Sequence, residues 1–534
     1  MNLRWYIILR STLPLATGLL LALSFPPLDL SFLVWIALIP LFVFLNLAPS
    51  KASAWKGSFA SGFIFFGFLL KWFFDAWPLN WVGLPLNYIT FLIVLLVWVL
   101  TVSVMASLFA FFGLFVYKTK FSLASLFPIA GAWTVLEYLR SWFFILPWLD
   151  QQTALGPHWS FGALGYALHN QTYFLKFAPW IGVYGLGFII VLVSSCLYLL
   201  PKLYRNHLHG IKYGFCLFII TAVLFGPLIV EKPKLDITGT KNIALIQTNF
   251  RSFVGFGLGN TEPIITSLVK ESLRYDPNII VLPEGSSWIK SLTDNLTEKP
   301  EVVLPKILGE GGYLVLDHAR VRDGENFKSR LFYFLNPLGV VDYYDKELLV
   351  PGGEYLPYLV RFFAKMTGQE EFNEAFTNQR GLKQGNEEFS GYVDIDGLRL
   401  GGSICSGIIS PKLNRIMTKK DVGLLITVSS DAIFKGSKFL IKQNLAMSKV
   451  RAAENNRYFV QVTNGGLSYV INENGRVENM TKNLGDEVLI GKAKLFSGQT
   501  FYTKNGDLIN YISLILIVIY GVYKTIKRRS TSGG

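Results

Sequence analysis

The stretch Arg399-Leu400-Gly401-Gly402-Ser403-Ile404-Cys405-Ser406-Gly407 is a strand pattern that ends in a cysteine flanked by small residues. Residues 399–404 predict a buried strand, and the small residues predict an elbow at which a substrate and backbone N–H donors can approach the sulfur. Folds of the α/β class commonly gather catalytic groups just after their strands. A lone cysteine there is more often inert packing, so Cys405 needs further support as a nucleophile.

Short apolar runs on both sides of this stretch predict a complete α/β domain. Candidate strands lie at 243–247, 278–282, 312–317, 330–335, 399–404, 424–428, 458–462 and 467–471, and candidate helices at 263–275 and 438–454. Alternating strands and helices are typical of α/β domains, and strands that are apolar throughout are covered on both faces. We therefore expect one α/β domain over residues 231–507.

The composition of the whole chain indicates a membrane protein, because 51% of the 534 residues are hydrophobic and only 16% are charged. Runs long enough to cross a bilayer lie near 10–28, 31–48, 57–76, 87–116, 121–141, 176–200, 212–230 and 508–523. These eight runs predict a multi-pass α-helical membrane domain with seven transmembrane helices over residues 1–230. Residues 508–534 are expected to form an eighth transmembrane helix and a basic cytoplasmic tail.

The basic residues between these runs predict the orientation of the chain. Lys51 and Lys56 follow the second run, Lys118 and Lys120 the fourth, and Lys202 the sixth. Loops rich in lysine and arginine stay in the cytoplasm, so residues 231–507 are expected on the outer face of the membrane. Because much of the net charge of +14 lies in such flanking segments, we expect no nucleic-acid partner.

Two further charged residues also follow predicted strands. Glu284 ends Val281-Leu282-Pro283-Glu284, and Lys346 follows Tyr343-Tyr344-Asp345. A thiol attacks as the thiolate, so it needs a base to take its proton and a cation to stabilise the charge, and a carboxylate and an ammonium supply both. Taken singly, a glutamate after Leu-Pro, such as Glu284, is usually a turn residue, and an exposed lysine such as Lys346 is almost always solvated. No cluster of histidine or cysteine has metal-ligand spacing, so we expect neither metal nor cofactor.

Motifs in a fixed order extend this pattern along nearly the whole chain. They are Glu137-Tyr138-Leu139-Arg140, Leu146-Pro147-Trp148, Gly182-Val183-Tyr184-Gly185, Ala244-Leu245-Ile246-Gln247-Thr248-Asn249, Leu282-Pro283-Glu284, residues 346–357, Ile404-Cys405, Ser430-Asp431-Ala432, Arg451-Ala452-Ala453-Glu454 and Thr463-Asn464-Gly465-Gly466. The series resembles the nitrilase (carbon-nitrogen hydrolase) superfamily, whose catalytic set is Glu, Lys and Cys in that order. More narrowly, it resembles the apolipoprotein N-acyltransferase family.

The resemblance implies a nitrilase-like αββα sandwich and a two-step acyl transfer. Cys405 would take an acyl chain from a phospholipid as a thioester and pass it to the N-terminal amino group of a diacylglyceryl-cysteine on an apolipoprotein. Glu284 maps onto the general base, Lys346 onto the residue that stabilises the oxyanion, and Glu354 onto a supporting glutamate. The alternative for Glu354 is an ordinary turn carboxylate.

One departure from the family pattern leaves two other functions open. Where the family usually has Tyr-Glu after the nucleophile, this chain has Ser406-Gly407. The lost carboxylate puts the second step in question. The alternatives are a membrane-anchored amidase or hydrolase of the superfamily and a non-catalytic paralogue that binds lipid or lipoprotein.

Two predictions concern the approach of lipid. Residues 358–366 mix large apolar and basic side chains, which fits an interfacial arm or a core helix equally well. Glu137 and Arg140 lie one helical turn apart, which predicts an internal ion pair rather than part of a headgroup path.

Overall fold

The computed structural model describes residues 3–82, 88–204, 210–250, 261–366, 368, 370–385, 391–395 and 397–532. Its N-terminal part consists of helices joined by short 3-10 turns. The helices are α1 (Leu3–Ser24), α2 (Ile39–Leu47), α3 (Lys51–Leu69), α4 (Tyr88–Thr119), α5 (Leu126–Phe143), α6 (Ala178–Tyr204) and α7 (Gly210–Ile229). Their apolar side chains pack on one another, and leucines and phenylalanines of α2, α3 and α4 are fully buried.

Each of the first seven predicted spans overlaps one of these helices, and the eighth lies within a longer helix at the C-terminal end. Within the described ranges, four helical segments are long and apolar enough to cross a membrane: Tyr88–Thr119, Phe174–Tyr204, Gly210–Ile229 and Leu508–Ser530. The number of crossings stays a prediction.

The predicted ion pair between Glu137 and Arg140 is confirmed. Both side chains are buried on α5, and their charged atoms are 3.5 Å apart. Trp133 Nε1 and the backbone N–H of Leu164 also donate to Glu137 Oε1, at 3.1 and 2.8 Å. Because hydrogen bonds and an opposite charge compensate it, this buried carboxylate connects α5 to the loop that precedes α6.

The C-terminal part contains two six-stranded sheets. In chain order its elements are β1 (Asp236–Gln247), α8 (Thr261–Ser272), β2 (Ile279–Val281), α9 (Trp288–Leu296), α10 (Pro300–Leu308), β3 (Leu314–Asp323), β4 (Asn326–Leu335), β5 (Gly339–Asp345), α11 (Tyr358–Met366), α12 (Glu370–Gln379), β6 (Tyr392–Ile395), β7 (Leu398–Ile404), α13 (Pro411–Lys419), β8 (Leu424–Ser430), α14 (Lys438–Asn455), β9 (Tyr458–Asn464), β10 (Tyr469–Ile471), β11 (Val477–Met480), β12 (Glu487–Ser497) and α15 (Phe501–Asn505). The chain ends with α16 (Leu508–Ser532), which packs against α5.

The strand order is β12-β1-β2-β3-β4-β5 in one sheet and β11-β10-β9-β8-β7-β6 in the other. The three central strands of each order, β1-β2-β3 and β7-β8-β9, pair in parallel, and the outer strands pair antiparallel. The eight predicted strands and the two predicted helices are all present. The sequence analysis missed β5, β6, β11 and β12, because these strands carry exposed side chains and lack a continuous apolar run.

The two sheets face each other and are covered by helices on their outer faces. Leu245 and Leu316 of one sheet meet Ile426 and Val460 of the other in a buried apolar layer. The outer face of the first sheet packs against α8, α9 and α10. The outer face of the second sheet packs against α13 and α14, whose apolar side chains continue into the core of the N-terminal helices. The domain is therefore an αββα sandwich of the nitrilase type, as expected.

Candidate active site

Cys405 lies directly after β7, at the predicted elbow. It begins a 3-10 turn, Cys405–Ile409, with a backbone φ of +45°, which non-glycine residues rarely adopt. The turn is anchored on both sides: the Ser406 hydroxyl donates to the carbonyl oxygen of Leu348, and Asn414 Nδ2 donates to that of Gly407 at 3.1 Å. Strained backbone of this kind persists where the surroundings fix it, and it is frequent at catalytic residues. The thiol is half-buried.

Lys346 joins both predicted carboxylates. It follows β5, and its Nζ lies 3.0 Å from Glu284 Oε1 and 2.8 Å from Glu354 Oε1. The lysine side chain is 2% exposed, whereas Glu284 and Glu354 are 13% and 16% exposed. The second oxygen of Glu354 accepts from the backbone N–H of Val350 at 2.7 Å. Glu354 is therefore a partner of the buried lysine and not a free turn carboxylate.

The three charges also act on the sulfur of Cys405. Burial and the charge of Glu284 raise the pKa of the thiol well above its usual value, and Lys346 opposes them. Burial alone would lower the pKa of Lys346, but the charges of Glu284 and Glu354 raise it instead. At neutral pH the site therefore holds a neutral thiol beside an ammonium group. A base must take the thiol proton as the sulfur attacks.

Two residues that the sequence analysis did not assign lie at this site. Asp431 follows β8, the strand next to β7, and burial and Glu284 raise its pKa to about 7. Its charge also raises the pKa of Cys405. Because β7 and β8 are parallel neighbours, residues just after both strands meet at the same sheet edge. The positions of Cys405 and Asp431, directly after two successive strands, could have suggested that they lie at the same sheet edge.

His318 holds the loop that carries Glu284. Its Nδ1 accepts from the backbone N–H of Gly285 at 2.8 Å, and its Nε2 lies 2.7 Å from Ser329 Oγ. Burial and the nearby Lys346 lower the pKa of His318 to about 3, so the ring is neutral. An accepting Nδ1 places the proton on Nε2, which then donates to Ser329. No motif in the sequence marked this residue.

The N-terminal helices supply one wall of the site. The ring of Trp148 packs against Gly352 and that of Trp81 against Gly353, directly before Glu354. The backbone N–H of Tyr358 donates to the carbonyl oxygen of Leu149 at 2.8 Å. Two separate parts of the chain therefore enclose one site.

Residues 358–366 form α11 beside this wall. None of its side chains is buried, and Phe362, Phe363 and Met366 are 57%, 47% and 67% exposed. Arg361 pairs with Asp150 at 3.2 Å and ties the helix to the N-terminal part. The core-helix alternative is wrong, because a core helix would bury its apolar face.

The turn after Cys405 is also bonded to the N-terminal part. Ser160 Oγ donates to the carbonyl oxygen of Ile409 at 2.5 Å, and His158 Nδ1 lies 2.9 Å from Ser410 Oγ. The position of the thiol therefore depends on the helical part as well as on the sandwich. In the described part of the chain, no three His, Cys, Asp or Glu side chains gather as a metal-binding group.

Comparison with known proteins gives two family matches, which lie on the two parts of the chain. Residues 17–196 match the family model described as apolipoprotein N-acyltransferase N-terminal domain. Residues 307–499, which include Lys346, Glu354 and Cys405, match the model described as carbon-nitrogen hydrolase.

Curated relatives match nearly the full length. An apolipoprotein N-acyltransferase of Geobacter metallireducens is 26% identical over 92% of this chain and 91% of its own. One of Pasteurella multocida is 25% identical over 96% and 95%, and one of Thermotoga maritima is 25% identical over 97% and 94%. Among solved structures, Nit3 of Saccharomyces cerevisiae, a member of the nitrilase superfamily, is similar over 50% of this chain and 94% of its own, at 14% identity and a TM-score of 0.37. The helical N-terminal part and the sandwich are thus both matched, and the chain is similar over nearly its full length to apolipoprotein N-acyltransferases.

Proposed function

We propose that this protein is a membrane N-acyltransferase that moves an acyl chain from a phospholipid to the N-terminal amino group of diacylglyceryl-cysteine on apolipoproteins. The observation that carries the proposal is the contact of Lys346 with both Glu284 and Glu354, beside the strained turn of Cys405. In this proposal Glu284, Lys346 and Cys405 are catalytic, and Glu354 is a positioning residue. The names of the full-length relatives supply the substrate class.

In the first half of the reaction, Cys405 attacks an ester carbonyl of the phospholipid. Glu284 takes the thiol proton while the carbon–sulfur bond forms, and the ammonium of Lys346 stabilises the negative charge on the carbonyl oxygen. The tetrahedral intermediate collapses, the ester carbon–oxygen bond breaks, and the leaving alkoxide takes the proton from Glu284. The products are a lysophospholipid and a thioester on Cys405.

The second half uses the same groups in the reverse order. The acceptor amine attacks the thioester carbonyl, and Glu284 takes a proton from the nitrogen. The carbon–sulfur bond then breaks, and Glu284 returns the proton to the sulfur. Glu354 keeps the Lys346 ammonium in place through both halves, because one carboxylate alone leaves a buried cation incompletely compensated.

The proposal includes a location and a topology. Residues 1–230 form a membrane domain of seven spans, residues 231–507 the catalytic domain on the outer face of the inner membrane, and residues 508–534 an eighth span with a cytoplasmic tail. The exposed apolar side chains of α11 support this arrangement, because phenylalanines at such exposure are stable at a lipid interface.

The product of a purified, full-length preparation tests the proposal. Incubated with phospholipid and a synthetic diacylglyceryl-cysteinyl peptide, the wild-type protein should give the N-acylated peptide, whereas Cys405→Ser and Glu284→Gln should not. A lysine far from the site provides the control, since Lys492→Gln on the exposed side of β12 should keep the activity. N-acylated peptide from Cys405→Ser would refute the proposal.

One observation favours a second candidate, a lipid hydrolase. Gly407 stands where the family usually has a glutamate, and Ser406 turns its hydroxyl away to the carbonyl oxygen of Leu348. Without that carboxylate, water is a simpler acceptor than an amine. Free fatty acid without any N-acylated peptide would support the hydrolase.

A further inference from the structure

A cavity that the proposed chemistry does not use lies between the two parts of the chain. It has a volume of about 390 Å³. One side is the 3-10 turn after α3, Lys71–Ala76, and the other is the loop between Asp431 and the start of α14. Both sides are close in sequence to residues of the active site, because Asp431 begins the loop and Trp81 lies a few residues beyond the turn.

The charge of this cavity is predominantly positive. Three lysines, Lys71, Lys435 and Lys438, line it together with a single carboxylate, Asp75. The Asp75 Oδ2 accepts from the Ser437 hydroxyl at 2.5 Å, and the charge of Asp75 also acts on Lys435. The contacts of two of these lysines are with uncharged groups: Lys71 lies over the Phe439 ring at 5.1 Å, and Lys435 donates to the carbonyl oxygen of Trp77. A bound anion would therefore gain attraction from more than one lysine.

The start of α14 adds to this charge. The helix begins at Lys438 and has eighteen residues, and the Ser437 side chain does not cap it because that hydroxyl is used on Asp75. The first N–H groups of a long helix and its dipole favour an anion. The first N–H groups of α14 lie next to the three lysines of the cavity and not on an open surface.

The rim of the cavity is aromatic. Phe74, Trp77, Phe434 and Phe439 line it beside the lysines. Aromatic side chains next to lysines are typical of protein surfaces at the level of lipid headgroups. There the rings contact apolar acyl chains and the lysines contact charged headgroups. A soluble anion gains nothing from contact with this rim, whereas the apolar chains of a phospholipid can pack against it.

The loop on one side of the cavity begins at the same sheet edge as the thiol, because Asp431 and Cys405 directly follow the neighbouring parallel strands β8 and β7. The backbone N–H of Phe434 donates to the carbonyl oxygen of Asp431 at 2.9 Å, and the charge of Asp431 acts on Cys405. The phosphate and the ester carbonyls of a phospholipid are separated only by the glycerol. A headgroup held in the cavity would thus direct an ester toward the elbow at Cys405.

We propose that this cavity binds the phosphodiester of the acyl-donor phospholipid and that its three lysines make the enzyme prefer donors with an anionic headgroup. The role of this lipid as acyl donor rests on the proposed function. Binding of its headgroup does not depend on turnover. Phosphatidylglycerol should therefore be a better donor than phosphatidylethanolamine with the same acyl chains. The ammonium group of phosphatidylethanolamine is repelled by the lysines.

The experiment compares acylation of Cys405 by these two lipids in the full-length protein, at equal mole fractions in nanodiscs. Wild type should be acylated at least about tenfold faster by phosphatidylglycerol, a factor that corresponds to about 1.4 kcal/mol. The double variant Lys71→Glu with Lys438→Glu should lose the preference, and Lys71→Arg with Lys438→Arg should keep it. The matched control Lys492→Glu with Lys494→Glu carries the same charge change on the exposed side of β12 and should also keep it.

A second measurement separates failure of the site from failure of the proposed function. Cys405→Ala protein is exposed to an equal mixture of the two lipids, and the retained lipid is identified by mass spectrometry. Retention of phosphatidylglycerol that the double glutamate variant abolishes would support the site even if no thioester ever forms. Normal acylation with an unchanged lipid preference in that variant would overturn the site while the function stands.

A soluble competitor distinguishes a lipid headgroup from free phosphate. Neither inorganic phosphate nor glycerophosphoglycerol, at millimolar concentration, should displace the retained phosphatidylglycerol, because neither contacts the aromatic rim. Displacement by either would overturn the assignment to a lipid.

Discussion

The reactivity of Cys405 is set by carboxylates as much as by the lysine. Burial raises the pKa of the thiol, the charges of Glu284 and Asp431 raise it further, and Lys346 opposes them only in part. A neutral thiol does not react with lipid until a base takes its proton, which protects the resting enzyme from alkylation and oxidation. In the proposed reaction the sulfur loses its proton only as it attacks a carbonyl carbon.

Asp431→Asn should make the thiol more reactive. The substitution keeps the shape of the side chain and removes a like charge, so the pKa of Cys405 should fall and its alkylation by iodoacetamide at pH 8 should become faster. The control Asp421→Asn changes an aspartate before β8, at the far end of the strand from Asp431, and should leave the rate unchanged. An equal or slower rate in Asp431→Asn would show that its charge does not reach the sulfur.

His318 should make stability depend on pH in a predictable direction. Its pKa is about 3 in the folded protein, against about 6.5 in the unfolded chain. Between these values the unfolded state binds a proton that the folded state does not, so the free energy of unfolding falls as the pH falls. His318→Asn, whose Oδ1 can replace Nδ1 as the acceptor for Gly285, removes this dependence. The difference between wild type and variant should change by about 2 kcal/mol between pH 7 and pH 5. An equal difference in the free energy of unfolding between wild type and variant at both pH values would contradict a neutral His318.

At the scale of elements, the break in α6 joins the helical part to the sandwich. Gly182 has φ +63° and ψ −176°, a conformation open essentially to glycine alone, and the helix restarts after it. The freed backbone N–H of Val183 donates to Glu454 Oε1 on α14 at 2.6 Å, and Glu454 pairs with Arg451 at 2.6 Å. All of these side chains are buried. The motifs at 182–185 and 451–454 are therefore two halves of one contact.

Gly182→Ala should weaken that contact. The backbone conformation alone costs about 1–3 kcal/mol for a residue with a Cβ, and the added atom would lie 2.5 Å from the ring of Tyr502 on α15. We expect a lower unfolding temperature of the full-length protein and slower thioester formation. Gly214→Ala on α7, where a Cβ meets nothing within 4 Å, is the matched control and should be neutral or slightly stabilising. Equal stability of the two variants would exclude a role of the break.

The sequence could predict the elements that have a strong local pattern. The parallel strands at the centre of each sheet are apolar throughout, so the runs around Ile280 and Ile426 identify them. β12 is different, because exposed and buried side chains alternate along it and its partner β1 lies about 240 residues away in the chain, as in the pairing of Ala244 with Ile490. Its position is set by the packing of the whole sandwich, which no local pattern contains.

At the scale of the whole molecule, Cys405 is held between two bodies of different composition. The sandwich brings Glu284, Lys346 and Glu354 to one sheet edge, and the helical part holds the turn after the thiol through Ser160 and adds the rings of Trp81 and Trp148. The sequence predicted Glu284 and Lys346 as the charged partners of the thiol, and the resemblance to the family implied Glu354. The second group could not be predicted, because it depends on how apolar helices pack against the outer face of a sheet.

The sandwich and the helical part of the chain make different contributions. An amidase of the nitrilase type needs only the sandwich, whereas a lipid ester must also be brought from a bilayer to the thiol. In the proposed function, the exposed apolar face of α11 and the aromatic wall of the helical part would supply the surface for that step. Lipid chemistry at Cys405 is therefore the claim on which the account depends.

The most direct test of this claim is mass spectrometry of Cys405 after the full-length protein has been incubated with phospholipid alone. The account predicts an acyl chain on the peptide that contains Cys405, removed by hydroxylamine as a thioester is. The acyl group should be absent in Cys405→Ser and should form about 10²–10⁴-fold more slowly in Glu284→Gln, which has no base at that position. An acyl group on any other residue, or one that persists in Cys405→Ser, would contradict it.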